Sequence, residues 1–305
     1  MSPLMLAYMK IALAMAIVGS SVVVGKLIIS SFPIFLASEL RFIIATVILL
    51  PLLLQKEKRF PSINQKYLFI LFLQAFTGVF LFNIFMLYGL KFTTAIEAGI
   101  ITSTLPAVVG LVSFLFLKEK LTIKKGLGII FAVVGVLLIN IVGDEVGNNN
   151  SLLGNLLIFG AVLGETLFIT LGKSVSNKVT PLTISTMMSI FGLIMFLPFS
   201  IYEAKDFDFS SVSIIDWMNV LYFGIVVTVL AFLLMYQGLS KVPASSAGVL
   251  TSVLPLSSII LSFFILKEEV LLPHVLGMLL VFVAIFVISK DSVGNESEAK
   301  TFISQ

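Results

Sequence analysis

The hydrophobic residues of this chain fall into long runs that are separated by short polar segments. A helix needs about 20 mostly apolar residues to cross the hydrocarbon core of a bilayer. Measured against this length, the pattern predicts ten membrane-spanning helices, numbered here as spans 1 to 10. They lie approximately at residues 6–28, 33–54, 67–90, 94–117, 121–142, 152–172, 180–202, 216–239, 243–266 and 270–289. The pattern therefore predicts an all-α polytopic membrane protein.

The composition excludes a soluble protein. Of the 305 residues, 59% are hydrophobic and 11% are charged, and the mean hydropathy is +1.15. A soluble domain carries about 25% charged residues, so this chain has too few polar residues to cover a water-facing surface. Its net charge of +3 is the modest Lys and Arg excess that loops of membrane proteins carry. We therefore expect no nucleic acid among its partners.

One stretch of the chain occurs twice. Residues 98–121 read AGIITSTLPAVVGLVSFLFLKEKL, and residues 247–270 read AGVLTSVLPLSSIILSFFILKEEV. Without a gap, 11 of 24 positions are identical, where shared apolar composition accounts for roughly two or three. The stretch is therefore an internal repeat. Further matches are Gly25-Lys26 with Gly172-Lys173, Gly89-Leu90 with Gly238-Leu239, and Pro51 with Pro198.

The polar segment GDEVGNNNS divides the chain into two units. It predicts a first five-helix unit at residues 1–142, a linker at 143–151 and a second five-helix unit at 152–289. The polar residues 290–305 are expected to form a disordered cytoplasmic tail. Because each unit has an odd number of spans, the second enters the membrane from the opposite side. The predicted architecture is thus two inverted five-helix repeats, a construction typical of secondary transporters.

The loop charges predict the orientation in the membrane. Loops on one side, together with the tail, hold 13 Lys and Arg residues, whereas the opposite loops hold four. The positive-inside rule then places both termini in the cytoplasm of a multi-pass cell-membrane protein. The Lys-Glu pairs that end the two copies of the repeat, Lys118-Glu119 and Lys267-Glu268, fall at membrane boundaries. We expect them to cap and anchor helices there.

At this point the chain resembles a known family, the EamA-type transporters of the drug/metabolite transporter superfamily. The resemblance rests on the ten spans in two halves, on both copies of the repeated stretch, and on Arg41 in ELRFIIA. One departure is the absence of the tryptophan that often precedes the Gly-Ser of span 1. Here Val18 precedes Gly19-Ser20, and the only tryptophan is Trp217.

The resemblance implies a function and the place of a site. The family moves small metabolites such as amino acids, often as an exporter, by alternating access around a central cavity between spans 1, 3, 4, 6, 8 and 9. It implies a small-molecule substrate, the lipid bilayer as surroundings, protons as a candidate coupling ion, and no cofactor. A monomer or a homodimer both fit. Two other functions stay open: a lipid or lipid-precursor flippase, and a membrane partner protein without transport.

The repeated stretch presents a small, polar face with a proline. At ~100° per residue, the face falls within about 100° of arc. In the first copy it consists of Gly99, Thr102, Ser103, Pro106, Gly110 and Ser113. One interpretation is close helix packing through small residues. The other is cavity lining, in which each proline frees a backbone carbonyl. The candidate lining residues are Thr102, Ser103 and Pro106 in the first copy and Thr251, Ser252 and Pro255 in the second.

Ionisable residues within spans each cost about 2.5–3.5 kcal/mol on insertion scales, so they need a reason. Glu165 is the deepest, and no positive residue adjoins it in the sequence. It is therefore the main candidate for substrate or proton coupling. Arg41 and Glu39 are further coupling candidates that lie on nearly opposite faces of span 2. The alternative for Arg41 is a structural role, with its side chain extended toward the membrane surface. Glu97 is expected at the membrane rim.

Span 3 carries a polar stripe. On a regular α-helix, Gln74, Thr77 and Tyr88 lie within about 60° of one another, and Asn83 faces away. Polar stripes on membrane helices point into the bundle or a wet cavity. We therefore predict that these three residues line the substrate cavity.

The residue inventory argues against an enzyme. There are no cysteines, and His274 is the only histidine, so a metal site has no ligand cluster. All five aspartates lie in or beside loops, and there is no GxxxxGK[ST] loop for nucleotide binding.

Overall fold

The computed structural model describes residues 3–58, 61, 63–117, 126–127, 130–131, 134, 151–242, 247, 250–272, 275–280 and 282–283. Within these ranges all regular secondary structure is helical. The helices are α1 (Pro3–Ser31), α2 (Ile34–Glu57), α3 (Gln65–Phe92), α4 (two pieces, Ala95–Thr102 and Leu105–Leu117), α5 (Ser151–Val175), α6 (Pro181–Ala204), α7 (Ile214–Leu239) and α8 (Val253–Leu266). A short 3-10 helix, Phe209–Ser211, precedes α7.

Seven of the helices in the described ranges, α1 to α7, are long and apolar enough to cross a membrane. They correspond to spans 1 to 4 and 6 to 8, and the shorter α8 forms part of span 9. Spans 5 and 10 lie mostly outside the described residues, so the count of ten stays a prediction. Outside them as well are the tail, all of the linker except its last residue, and the Lys118-Glu119 pair.

The outer surface of the bundle is apolar, as a lipid-facing surface must be. Large hydrophobic side chains such as Val47, Ile194 and Phe264 are more than half exposed to the surroundings of the chain. In water such a surface would drive aggregation, whereas hydrocarbon is its natural solvent. The chain is therefore a multi-pass membrane protein.

The two copies of the repeat share an interruption. In α4 the helix breaks at a turn, Ser103-Thr104, just before Leu105-Pro106. In the second copy a turn at Thr251-Ser252 likewise precedes the helix that contains Pro255. Proline has no N–H to donate and its ring clashes with the preceding turn, which explains why both helices restart there.

A second shared feature is a π-helical turn inside α3 and inside α7. These turns cover Phe76–Leu81 and Phe223–Leu230. Shifted by the 149 residues that separate the two copies, residues 76–81 fall on 225–230. A π turn replaces the usual hydrogen bond to the fourth preceding residue by one to the fifth, so it rotates everything that follows around the helix axis.

The helices approach one another closely at glycines. A Cβ atom built on Gly19 of α1 would lie 2.3 Å from the Leu254 carbonyl oxygen of α8. One built on Gly164 of α5 would lie 2.7 Å from the Thr77 carbonyl oxygen of α3. Only glycine permits contacts this tight, which draw the helices of the two halves together around the centre of the bundle.

Candidate functional site

A small cavity lies at the centre of the bundle, between α1, α2, α3, α5 and α7. Its accessible volume is about 30 Å³, which is enough for about two water molecules. A smaller neighbour of about 10 Å³ shares residues with it and extends to α4 and α8. The two cavities together touch the helices that the family resemblance implies, with α2 added. The polar residues that line them are Ser21, Arg41, Asn83, Thr102 and Glu165.

Arg41 reaches the cavity from α2 and is 5% exposed. Its guanidinium donates hydrogen bonds to the Thr228 hydroxyl and, at 2.8 Å, to Asn83 Oδ1. It also lies over the ring of Phe223, at 4.4 Å from the centroid. The alternative of a side chain extended to the membrane surface is therefore wrong, because the guanidinium finds its partners inside the bundle.

Glu165 lines both cavities from α5 and is 7% exposed. It interacts electrostatically with Arg41 across the cavity. The sequence contains no positive residue near Glu165, and only the packing of α2 beside α3 and α7 supplies one. A buried carboxylate and a buried guanidinium on one cavity form a dipolar site.

Asn83 belongs to this site, contrary to the expectation that it faces away. It is 3% exposed, accepts the hydrogen bond from Arg41 and donates one to the Val79 carbonyl at 2.6 Å. The expectation failed because it assumed a regular α-helix. The π turn Phe76–Leu81, which ends just before Asn83, rotates the second part of α3 relative to the first.

The same π turn lies between Gln74 and Tyr88 of the predicted stripe and contains Thr77. Gln74 is fully buried and donates to the Phe168 carbonyl and the Tyr236 hydroxyl, both at 2.8 Å. Thr77 is half-buried, and its hydroxyl bonds to a carbonyl of its own helix. Tyr88 lies further along α3, half-buried against Phe35. The structure does not bring these three side chains together, and their contact with a substrate stays a prediction.

The repeated helices combine packing and cavity lining at different depths. Gly99 of α4 faces Ser258 and Ile259 of α8 so closely that a Cβ atom would lie 2.9 Å from the Ile259 side chain. One turn further on, Thr102 lines the smaller cavity. Of the other predicted residues, Ser103, Pro106, Thr251 and Pro255 are buried and Ser252 is half-buried. Only Thr102 among them lines either cavity in this conformation.

Glu39 is buried without lining either cavity. It is 3% exposed, and neither of its carboxylate oxygens has a hydrogen-bond partner. Glu97 has a structural role, because it closes a capping box with Thr94 at the start of α4. Among the described residues, no group of three or more His, Asp or Glu side chains is arranged to hold a metal ion.

This arrangement defines a class of protein: a helical multi-pass membrane protein with a charged site buried at its centre. Comparison with known proteins gives the family. The model of the EamA-like transporter family matches residues 5–141 and again residues 152–290. The chain therefore belongs to the EamA-like transporter family and contains two copies of its repeat, as the sequence predicted.

Proteins of similar sequence are also described as transporters. The chain is 50% identical over 283 residues to the uncharacterized transporter YetK of Bacillus subtilis, covering 92% of this chain and 86% of YetK. It is 28% identical over 257 residues to an uncharacterized transporter of Archaeoglobus fulgidus, covering 84% and 88% of the two chains. One solved structure, at 17% identity, superposes with a TM-score of 0.65 over 94% of this chain and 97% of its own, which shows a shared fold. Family and relatives thus identify a membrane transporter.

Proposed function

We propose that this protein is a secondary active transporter that exports small metabolites by alternating access around the central cavity. The observation that carries the proposal is the dipolar site, in which Arg41 and Glu165 are buried on one cavity. Burying two ionisable groups within a membrane is costly, so a site that retains both has a use for them. The two halves, inverted relative to one another, rock around this site with both termini in the cytoplasm.

The site suits a zwitterion such as an amino acid. The Arg41 guanidinium is the natural partner of a substrate carboxylate, and Glu165 of an ammonium group. The remaining walls are mostly apolar and include Met15, Phe168 and Phe232, which suit an apolar side chain. The substrate would replace the electrostatic interaction of Arg41 with Glu165 by two contacts of its own.

The small volume of the cavity supports alternating access. Space for about two water molecules does not hold an amino acid. A transporter with this site must widen the cavity to admit the substrate and close it again during the cycle. The described conformation then corresponds to an occluded state without substrate.

Glu165 is also the proposed site of proton coupling. A proton on its carboxyl group removes the negative charge beside Arg41, which changes the affinity of the site for an ammonium group. Proton binding and substrate binding would then compete, which is the basis of exchange transport.

The test is flux in proteoliposomes, after a thermal-shift screen of amino acids, nucleosides and sugars has identified a ligand. The parent protein should transport that ligand faster with a proton gradient than without one. Glu165→Gln should transport it at one rate under both conditions. Coupling through Glu165 is refuted if the variant responds to the gradient as the parent does.

A lipid-precursor flippase is the second candidate, because a groove of about 380 Å³ opens between α1, α7 and α8. Its inner wall carries a 2.7 Å hydrogen bond between the Ser20 and Tyr222 hydroxyl groups. Fluorescent lipid in the same vesicles separates the two functions. Loss of inner-leaflet protection from dithionite would favour the flippase, and flux of a soluble ligand without lipid movement would favour the metabolite transporter.

A further inference from the structure

The repeated Gly-Lys dipeptide makes a specific contact at one end of the bundle. Lys26 of α1 donates hydrogen bonds from Nζ to the Leu90 carbonyl and, at 2.6 Å, to the Thr93 carbonyl. These carbonyls lie at the end of α3, where the last turn of a helix leaves its carbonyl groups without partners in the helix itself. The ammonium group of Lys26 therefore joins α1 to the carboxyl end of α3.

Lys173 makes the equivalent contact in the second half. Its Nζ donates to the Leu239 and Val242 carbonyls, both at 2.7 Å, and so joins α5 to the carboxyl end of α7. The acceptors are exact counterparts, since Leu239 and Val242 each lie 149 residues after the acceptors of Lys26. The two contacts are thus copies of one arrangement, in which a lysine bonds to two carbonyl groups at the end of a neighbouring helix.

The two contacts lie at opposite ends of the bundle. Lys10 of α1 bonds to Gln237 at 2.7 Å, which places the start of α1 at the Lys173 end. Lys26 lies 16 residues further along the same helix, about 24 Å away at 1.5 Å per residue. One of the two lysine contacts therefore lies on each side of the central cavity.

Each lysine contact connects two helices that line the cavity. Ser21 of α1 and Met86 of α3 line the cavity below the Lys26 contact. Phe168 of α5 and Met235 of α7 line it on the side of the Lys173 contact. Separating α1 from α3, or α5 from α7, is therefore the movement that would open the cavity toward one end and not the other.

The Lys26 end has a further connection to the opposite half. Glu268, just after α8, accepts hydrogen bonds from the backbone N–H groups of Ala95 and Ile96 at 2.9 and 2.8 Å. A carboxylate at a helix start is favourable because the N–H groups there are unpaired and the helix dipole is positive. Lys26 also interacts electrostatically with Glu268 and Glu97. Closure at this end therefore involves α1, the junction of α3 with α4, and the end of α8.

We propose that Lys26 and Lys173 are the paired gate residues of the transport cycle, each closing one end of the central cavity. The proposal rests on the proposed function of alternating access. Both gates are closed in the described conformation, in agreement with the small cavity. During the cycle one lysine releases its two carbonyls, its ammonium group becomes hydrated, and the other lysine stays bonded. The compact, strongly hydrated charge of lysine suits a contact that must break and re-form.

The test uses a single cysteine, since the chain has no native one. Ser21→Cys places a thiol on the wall of both cavities. A membrane-impermeant maleimide is then applied from each side, to intact cells and to inverted vesicles. We expect Lys26→Met to raise the labelling rate from the Lys26 side, on the order of tenfold, and to leave labelling from the other side at the parent rate. Lys173→Met should do the reverse.

Matched controls distinguish a gate from a general loosening. Lys91→Met and Lys178→Met remove exposed lysines near the same two ends, and we expect the parent rate from both. Lys26→Arg keeps donors for the two carbonyls and should retain most of the closure. Lys26→Gln is the second variant, should Lys26→Met not give a folded protein by gel filtration.

The proposal is overturned if either Met variant labels at the parent rate from both sides, or equally faster from both. The labelling reads the opening of the cavity and not transport. A parent protein that carries no flux of any identified ligand would refute the proposed function, whatever the labelling shows.

Discussion

The ends of the bundle and its centre differ in how closely the two halves resemble each other. At the ends, Lys26 and Lys173 make the same two contacts with equivalent carbonyls. At the centre, Arg41 and Glu165 have no ionic counterparts. By the 147 residues that separate the two lysines, Glu165 corresponds to Val18, and Arg41 to Met188. The parts proposed to open and close are repeated, whereas the parts proposed to bind a substrate are not. This is the expected division when a pseudo-symmetric scaffold moves an asymmetric molecule.

The largest effect should come from removing the charge at the centre. Arg41→Met leaves Asn83 and Thr228 without their donor and Glu165 without its electrostatic partner. Leaving a buried charge uncompensated costs about 3–5 kcal/mol of stability, so we expect the melting temperature to drop. We expect ligand flux to fall by at least ~100-fold, because the proposed substrate carboxylate loses its partner. Arg41→Lys keeps the charge and loses the planar fork, so its flux and melting temperature should lie between those of the parent and of Arg41→Met. Normal flux in Arg41→Met would mean that the asymmetric centre is not the site.

The seam between α1 and α8 should be next in sensitivity. Gly19→Ala places a Cβ atom against the Leu254 carbonyl and the Ser257 side chain, and forcing such helices apart costs about 1–3 kcal/mol. Gly110→Ala is the matched control, since a Cβ atom there meets nothing within 4 Å and removing a helical glycine stabilises by roughly 0.5–1 kcal/mol. Opposite changes in melting temperature are expected. Equal changes would show that the seam is loose.

Two neighbours on α3 should differ although the sequence places them on one stripe. Gln74→Leu leaves the Tyr236 hydroxyl without its donor and removes an additional bond to the Phe168 carbonyl, at a cost of about 1–3 kcal/mol. Thr77→Val loses only a bond to its own helix and should change stability by less than about 0.5 kcal/mol. Thermal unfolding in detergent measures both. A similar cost for the two variants would argue against the difference in hydrogen bonding between the two side chains.

The smallest effect is expected at the end of the bundle. Glu268→Gln removes a negative charge from the start of α4, at a cost of about 0.3–1 kcal/mol. Its neighbour Glu269 is exposed, so Glu269→Gln should leave stability unchanged. We expect Glu268→Gln to raise labelling of the Ser21→Cys thiol from the Lys26 side and to leave ligand affinity unaltered. A weaker affinity with unaltered labelling would place Glu268 in the binding site instead of at a gate.

Helical-wheel reasoning assumes a regular α-helix and fails in α3, where the backbone is not regular. Thr102 lies on the wall of the smaller cavity, and its contact with a substrate stays a prediction. Asn83 was expected to face away, yet it holds Arg41, because a π turn of six residues intervenes. No residue pattern in Phe76–Leu81 predicts that turn. Its recurrence at the equivalent place in α7 is visible only in the three-dimensional structure.

The sequence by itself determined the membrane class, the helical spans now described, the internal repeat and the family. These follow from local quantities: the length of apolar runs and the identity of residues at a fixed offset. The partnership of Arg41 with Asn83, Thr228 and Glu165 was decided only by the tertiary structure, as were the carbonyl acceptors of Lys26 and Lys173. Each of these contacts joins different helices, up to 187 residues apart in the case of Arg41 and Thr228. Their geometry depends on helix rotation and packing depth, which no local pattern encodes.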